Sequence, residues 1–437
     1  MHTSSVVRKA CPMVCLFLWA AVPWGSVVAQ GQPVVRYTVP EMDKVSVKRN
    51  IPYRVERSDT MLMDIYTPPA RGRSARTPAV IFVHGGFFAA EPEPAPKEWE
   101  MFQSYGRLVG ASGFAAVTFN HRYYGWGRGA LERSFGDVAG AIRFVRDHGA
   151  EYGIDPDRLA LWVFSGGGPH LSIPLRERMR GIQCCVAYSP LMDLRSVART
   201  QGVDTTGGWM DVFMPESYLS ATGAALPPTL IVRAGMDNPG LLSTIDHFVA
   251  RALSLNEPIE VQTHPDGVHD FDVRDDDART REIISRTLDF VRVHMQAPPR
   301  DPDRLPAGKL YAGLLHGDVA GVKAYCSGRG RQEEALARVT AENTLNLAGY
   351  LLLQQANVTA ALDVFRWVVE LYPDSPNAYD SLGDGYEAAG QRELAIENSR
   401  RCLEMLEKDT RLPEDQKAAI YRSASGKLER LSPAPRQ

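Results

Sequence analysis

Ser165 stands where an apolar run, Leu159 to Phe164, stops against Gly166-Gly167-Gly168-Pro169. The glycines permit a sharp turn and Pro169 suits the first turn of a helix, so the stretch predicts strand, tight turn and helix. A serine at such a tip is lifted out of the sheet, with the next N–H and the helix N-terminus directed at its oxygen. That is the position of a nucleophile for acyl transfer, which also needs a base, an acid to orient the base and donors for the oxyanion. Two histidines follow the last strand-like run, His264 at its end and His269 beyond Asp266-Gly267. A loop histidine can turn toward the serine, so His269 is preferred to His264, and also to His170, which lies within roughly one helical turn of Ser165. Asp237, in R-A-G-M-D, falls between nucleophile and histidine in chain order and is the candidate acid. Asp270 and Asp272 are too near His269 in sequence to be first choices. Gly166 and the loop His84-Gly85-Gly86-Phe87 offer backbone donors for the oxyanion.

The elements that must hold these residues follow from the apolar pattern. Val34 to Val55 and Met61 to Tyr66 read as edge strands, and Ala79 to Val83 as a strand buried on both faces and ending in the H-G-G loop. Helical patterns near Lys97 to Val109, Asp137 to Tyr152, Leu241 to Leu255 and Thr280 to Met295 alternate with strands at 115–119, 159–164, 183–188, 229–233 and 259–263. Asp155-Pro156-Asp157 reads as the turn before the strand that leads to Ser165. Such alternation predicts an α/β fold with a doubly wound, mostly parallel sheet whose functional loops gather at the carboxyl ends of the strands. Residues 193–227, carrying Trp209, Met210 and Phe213, break the rhythm and read either as a cap over the pocket or as a surface excursion. Tyr123, Tyr124 and Trp126 follow a strand and either line the substrate pocket or pack in the core.

Beyond Ala297-Pro298-Pro299 the pattern becomes wholly helical. Gly349 and Ala361 are repeated 34 residues later by Gly383 and Ala395, the spacing of a helical repeat whose small residues let paired helices approach. The division expected is a leader at 1–29, an α/β domain at 30–297, a linker at 298–309 and a helical domain at 310–437.

Arg8 and Lys9 precede the apolar stretch Val14 to Val22 and then Val27-Val28-Ala29, which predicts a cleaved signal peptide and a periplasmic or secreted protein. Removing those two cations takes the formal net charge from −3 to −5, and nothing basic enough for nucleic acid is left. No later run is long enough to predict membrane insertion. Four cysteines in the remaining chain do not make a disulfide framework, and Cys184 and Cys185, adjacent in an apolar strand, should point to opposite faces. No H-E-x-x-H, phosphate loop or G-x-G-x-x-G occurs, so neither a metal nor a nucleotide cofactor is expected.

With H-G-G, the run D-V-A-G-A-I-R-F-V-R, I-D-P-D-R and the serine turn in view, residues from Tyr53 to about Met295 resemble secreted carboxylesterases of the α/β-hydrolase superfamily. The likeness is greatest to the acetyl-esterase, feruloyl-esterase and dienelactone-hydrolase branch. Val163 departs from the G-x-S-x-G pattern while Gly167 keeps its last glycine. The resemblance implies Ser165, Asp237 and His269 as triad, with Gly86, Phe87 and Gly166 lending oxyanion N–H groups. The tail from about Leu345 to Leu406 resembles tetratricopeptide repeats, which implies a protein partner. The function expected is hydrolysis of a small-molecule carboxylic ester, with an exopeptidase-like hydrolase and a catalytically inert binding protein as the alternatives.

Overall fold

The computed structural model describes residues 33–56, 59–69, 76–86, 90–125, 127–220, 222–329 and 333–432. The leader reading at 1–29, the oxyanion role of Phe87 and the pocket role of Trp126 fall outside them.

Eight strands form one sheet: β1 (Ser46–Glu56), β2 (Asp59–Thr67), β3 (Thr77–Val83), β4 (Ala115–Phe119), β5 (Ile154–Phe164), β6 (Ile182–Tyr188), β7 (Thr229–Ala234) and β8 (Ile259–His264). Their order is β1-β2-β4-β3-β5-β6-β7-β8, antiparallel from β1 to β4 and parallel from there on. This is the α/β-hydrolase sheet. β3 and β5 lie at its centre because their sequences have no polar face to give to water: Ala79 to Val83 and Leu159 to Val163 are buried throughout. Helices α1 (Glu100–Ala111), α2 (Arg128–His148), α3 (Ser172–Arg176), α4 (Leu194–Thr200), α5 (Pro239–Ser254), α6 (Phe271–Arg274) and α7 (Ala278–Gln296) complete this part. Ile81, Val83 and Val163 pack in one core with α2 and α5, and Val80, Phe82 and Trp162 pack in the other with α1 and α7. Cys185 falls in the first core and Cys184 in the second, as strand alternation requires, and both are free thiols.

Two local readings are corrected. The turn ahead of β5 is at Gly153 (φ 75°), after a 3-10 segment over Gly149–Tyr152, and Asp155-Pro156-Asp157 already belongs to β5. Helix α2 opens at Arg128 rather than near Asp137. Residues 193–227 hold α4 and three short 3-10 segments, with Met210, Phe213, Met214 and Leu219 buried.

The chain then becomes helical: α8 (Ala307–Leu315), α9 (Val319–Ser327), α10 (Glu334–Val339), α11 (Glu342–Gln354), α12 (Val358–Leu371), α13 (Pro376–Ala388), α14 (Arg392–Leu406) and α15 (Glu414–Leu431). Its apolar core centres on Leu345, Leu352, Ala361, Phe365 and Ala395. Helix α8 begins inside the stretch read as a linker, so Lys309 is helical. Among the described residues no helix is long and apolar enough to cross a membrane.

Candidate active site

β5 delivers Ser165 into a 3-10 turn, Ser165–Leu171, that leads to the short α3. Ser165 takes φ 48°, a left-handed conformation uncommon for a residue with a side chain and typical of strained functional turns. Three consecutive carbonyls of this turn each have a hydrogen-bond partner, two of them from outside it. The Leu191 N–H donates to Ser165 O at 2.9 Å, the Tyr123 hydroxyl to Gly166 O at 2.8 Å, and His170 Nδ1 lies 3.1 Å from Gly167 O. Tyr123 is therefore buried against the serine turn rather than lining a pocket. Val163, in the place of the elbow's first glycine, is buried in register between Val83 and Ala187.

Asp237 follows β7 and His269 follows β8, and the two loops are joined by their backbones. Gly235 N donates to His264 O at 2.8 Å and Met236 N to Gly267 O at 2.9 Å. The contact is so close that a methyl on Gly235 would stand 2.1 Å from Pro265 O. As a result the Asp237 carboxylate accepts from His269 Nδ1 at 2.7 Å, and His269 Nε2 lies 2.9 Å from Ser165 Oγ. The structure thus brings Ser165, His269 and Asp237 into one hydrogen-bonded line. Asp270 Oδ1 lies 3.7 Å from His269 Nε2, beyond hydrogen-bond distance, and the other rival residues are committed elsewhere. His264 Nε2 is 3.2 Å from both Asp277 and Thr280, His170 lies under the turn, and buried Asp272 accepts from the Tyr105 hydroxyl at 2.6 Å.

Burial of His269 opposes its charged form, but the Asp237 hydrogen bond and the charges of Asp270, Asp237 and Asp272 outweigh it and raise its pKa to about 9. Asp272, buried and beside Asp270, is itself pushed up to about 7.

The H-G-G loop lies against the serine turn. A methyl on Gly85 would stand 2.4 Å from Phe164 O and 2.8 Å from Gly166 N, so only glycine fits there. His84 Nδ1 lies 2.9 Å from Gly85 O, the carbonyl of the peptide that carries the Gly86 N–H, while Leu191 holds the carbonyl of the peptide that carries the Gly166 N–H. The peptide units of Gly86 and Gly166 are both braced through their carbonyls. In the sequence His84 is only the start of a motif; its side chain, together with His121 and Ser134, forms polar machinery that no local pattern announces.

Among the described residues, His264, Asp275 and Asp277 bring ligand-capable atoms within 4.8 Å of one another. Asp277 is already the cap of α7, accepting from Thr280 N at 2.8 Å, and nothing in the geometry recruits the group to Ser165.

Residues 63–175, from β2 through the H-G-G loop and the serine turn into α3, match the family model described as BD-FAE. Liver carboxylesterase 1 of Oryctolagus cuniculus is 27% identical over 135 residues, 29% of this chain and 22% of that protein, so the chain spans about a fifth of the length of the curated relative it matches. Among solved structures the chain is similar to Thermogutta terrifontis esterase 2, at 20% identity over 59% of this chain and 98% of that one, TM-score 0.46. It is also similar to a bacterial heroin esterase, at 18% identity over 59% and 86%, TM-score 0.48.

Proposed function

We propose that the chain hydrolyses small carboxylic esters through an acyl-enzyme, with Ser165 as nucleophile, His269 as base and Asp237 as the residue that orients it. The observation that carries this reading is the continuous line from Asp237 Oδ2 to His269 Nδ1 (2.7 Å) and from His269 Nε2 to Ser165 Oγ (2.9 Å). His269 donates Nδ1–H to the carboxylate, which leaves Nε2 free to accept the serine proton as Oγ attacks the ester carbonyl. The tetrahedral oxyanion is met by the N–H groups of Gly166 and Gly86. The imidazolium then returns its proton to the leaving alkoxide, and water repeats the cycle on the acyl-enzyme. His269 is about a third exposed, which leaves the line open to substrate and water.

The motifs of the acetyl- and feruloyl-esterase branch, and the carboxylesterase relative, favour an ester of modest size over a peptide. The first 29 residues support export to the periplasm or medium, and the 34-residue spacing in α11 to α14 supports a tetratricopeptide-type module that binds a protein partner.

Hydrolysis of p-nitrophenyl acetate and butyrate, run beside chromogenic dipeptides, tests the reaction class. Ester turnover is expected, and Ser165→Ala should lower it by about 10⁴-fold or more while leaving the circular dichroism unchanged. A fluorophosphonate should label Ser165. Turnover of peptides alone would favour the exopeptidase, and an unreactive Ser165 would leave only a binding protein.

A further inference from the structure

A line of buried polar groups runs from the H-G-G loop to the serine turn. His121 Nε2 lies 3.3 Å from His84 O, His121 Nδ1 lies 3.0 Å from Ser134 Oγ, Ser134 Oγ lies 2.9 Å from His170 Nε2, and His170 Nδ1 lies 3.1 Å from Gly167 O. The side chains of His121, Ser134 and His170 are buried, and burial holds both imidazoles neutral, His170 down to about 3 and His121 well below its ordinary value. The groups that face them are the ring of His84, stacked on His121 at 3.8 Å, and the rings of Tyr123, Phe119 and Phe135.

Both ends of the line are carbonyl oxygens, which can only accept. Four contacts need four hydrogens, but two neutral imidazoles and one hydroxyl supply three. One contact must therefore lack a proton, and we assign the gap to the longest, at His84 O. The other three then run one way. His121 Nδ1–H donates to Ser134 Oγ, Ser134 Oγ–H donates to His170 Nε2, and His170 Nδ1–H donates to Gly167 O.

We propose that Ser134 is a positioning residue for the reaction at Ser165, its hydroxyl locking His170 in the tautomer that holds the Gly167 carbonyl and with it the turn beneath the nucleophile. A ring nitrogen's proton is set by the hydrogen bond its partner nitrogen makes, and Ser134 is the group that makes it. The proposal rests on the esterase reading for its kinetic effect, but its structural content does not.

The test uses the full chain labelled with ¹⁵N-histidine and two-bond ¹H–¹⁵N correlation spectra at pH 7. His121 and His170 are both expected as Nδ1–H tautomers. In Ser134→Ala, His170 should lose its single Nδ1–H tautomer and populate Nε2–H as well, and His121 should switch to Nε2–H and donate to His84 O. The kcat for p-nitrophenyl acetate should fall about 10- to 100-fold with KM within about twofold, the scale of a misplaced nucleophile. Ser134→Thr, which keeps the hydroxyl, should restore both the tautomers and most of kcat. An Nε2–H tautomer at His170 in the unmodified chain would overturn the proposal, as would unchanged tautomers and kcat in Ser134→Ala. A chain that neither turns over esters nor reacts with a fluorophosphonate would defeat the esterase reading, and the tautomers would still decide the proton count.

Discussion

A base that takes a proton from Ser165 must itself be neutral, so the environment of His269 sets the pH at which the proposed reaction runs. Its pKa is raised to about 9, so kcat/KM for a short ester should climb with pH through 8 to 9 rather than level off near the ordinary value of about 6.5. A pH profile of p-nitrophenyl acetate hydrolysis reads this directly, and a midpoint near 6.5 would refute it. Asp272 contributes one of the raising charges, so Asp272→Asn should move the midpoint to lower pH. The same substitution has a signed effect on stability. Asp272 has a folded pKa of about 7, above the ordinary carboxylate value of about 3.9, so its contribution to folding is intact below about pH 4 and lost as pH rises through 7. An asparagine amide at this position would still accept from Tyr105 without a charge to bury, so the variant should unfold at a higher temperature than the parent at pH 8 and at the same temperature at pH 4. The serine, aspartate and loop histidine were legible in the sequence because Ser165 ends the apolar run of β5 and Asp237 and His269 follow β7 and β8 in the chain order a triad on this fold requires. Asp272 and the line from His121 to His170 were not, because their partners come from elements far apart in the chain and only burial brings them together.

The strands were legible for a plain reason: a run such as Ala79 to Val83, with no polar face, has only the middle of a sheet to occupy. Helix boundaries were harder. The first turns of α2 carry Gly129 and Gly136 and its N-cap Gly127 makes no side-chain capping bond, so its first residues lack the usual signals of a start. Residues 193–227 have segments too short for a period to show, yet they are packed: the Phe213 ring meets Phe135 edge-on at 4.8 Å, and Phe135 stacks on His170 at 4.3 Å. Phe213→Ala should therefore cost about 3 to 5 kcal/mol in urea unfolding, as for other buried phenylalanines. The two loops at the site are matched just as closely. Gly85→Ala would force its methyl into Phe164 O and Gly166 N, both backbone atoms that cannot swing aside. With the Gly86 and Gly166 donors displaced, kcat should fall about 100-fold or more while KM changes little. An unchanged kcat would remove the H-G-G loop from the oxyanion site.

At the scale of the whole chain, the helical part is joined to the sheet by buried polar contacts as well as apolar ones. Lys309 on α8 and Glu257, just before β8, form an ion pair with both side chains fully buried, and Glu257 also accepts from Leu226 N at 2.9 Å. Arg178 meets Asp303 at 2.6 Å, Asn256 donates to Gly308 O at 2.8 Å, and Ala225 is buried in the helical core. A flexible tether between independent domains would make none of these contacts, and the Pro-rich composition at 298–306 conceals that the segment is laid down along the sheet domain. Burial disfavours the Lys309 ammonium, and a buried pair stripped of one member leaves a charge without compensation. Lys309→Met alone should therefore cost about 3 to 5 kcal/mol, whereas Lys309→Met with Glu257→Gln, which keeps an acceptor for Leu226 N, should recover much of that loss in the same urea titration. Ending the chain at residue 297 removes every one of these partners at once while leaving Ser165, Asp237 and His269 in place. The shortened protein should still react with a fluorophosphonate but melt at a lower temperature. If it melted where the full chain does, the helical part would be a passenger and the buried pair would not hold the two parts together.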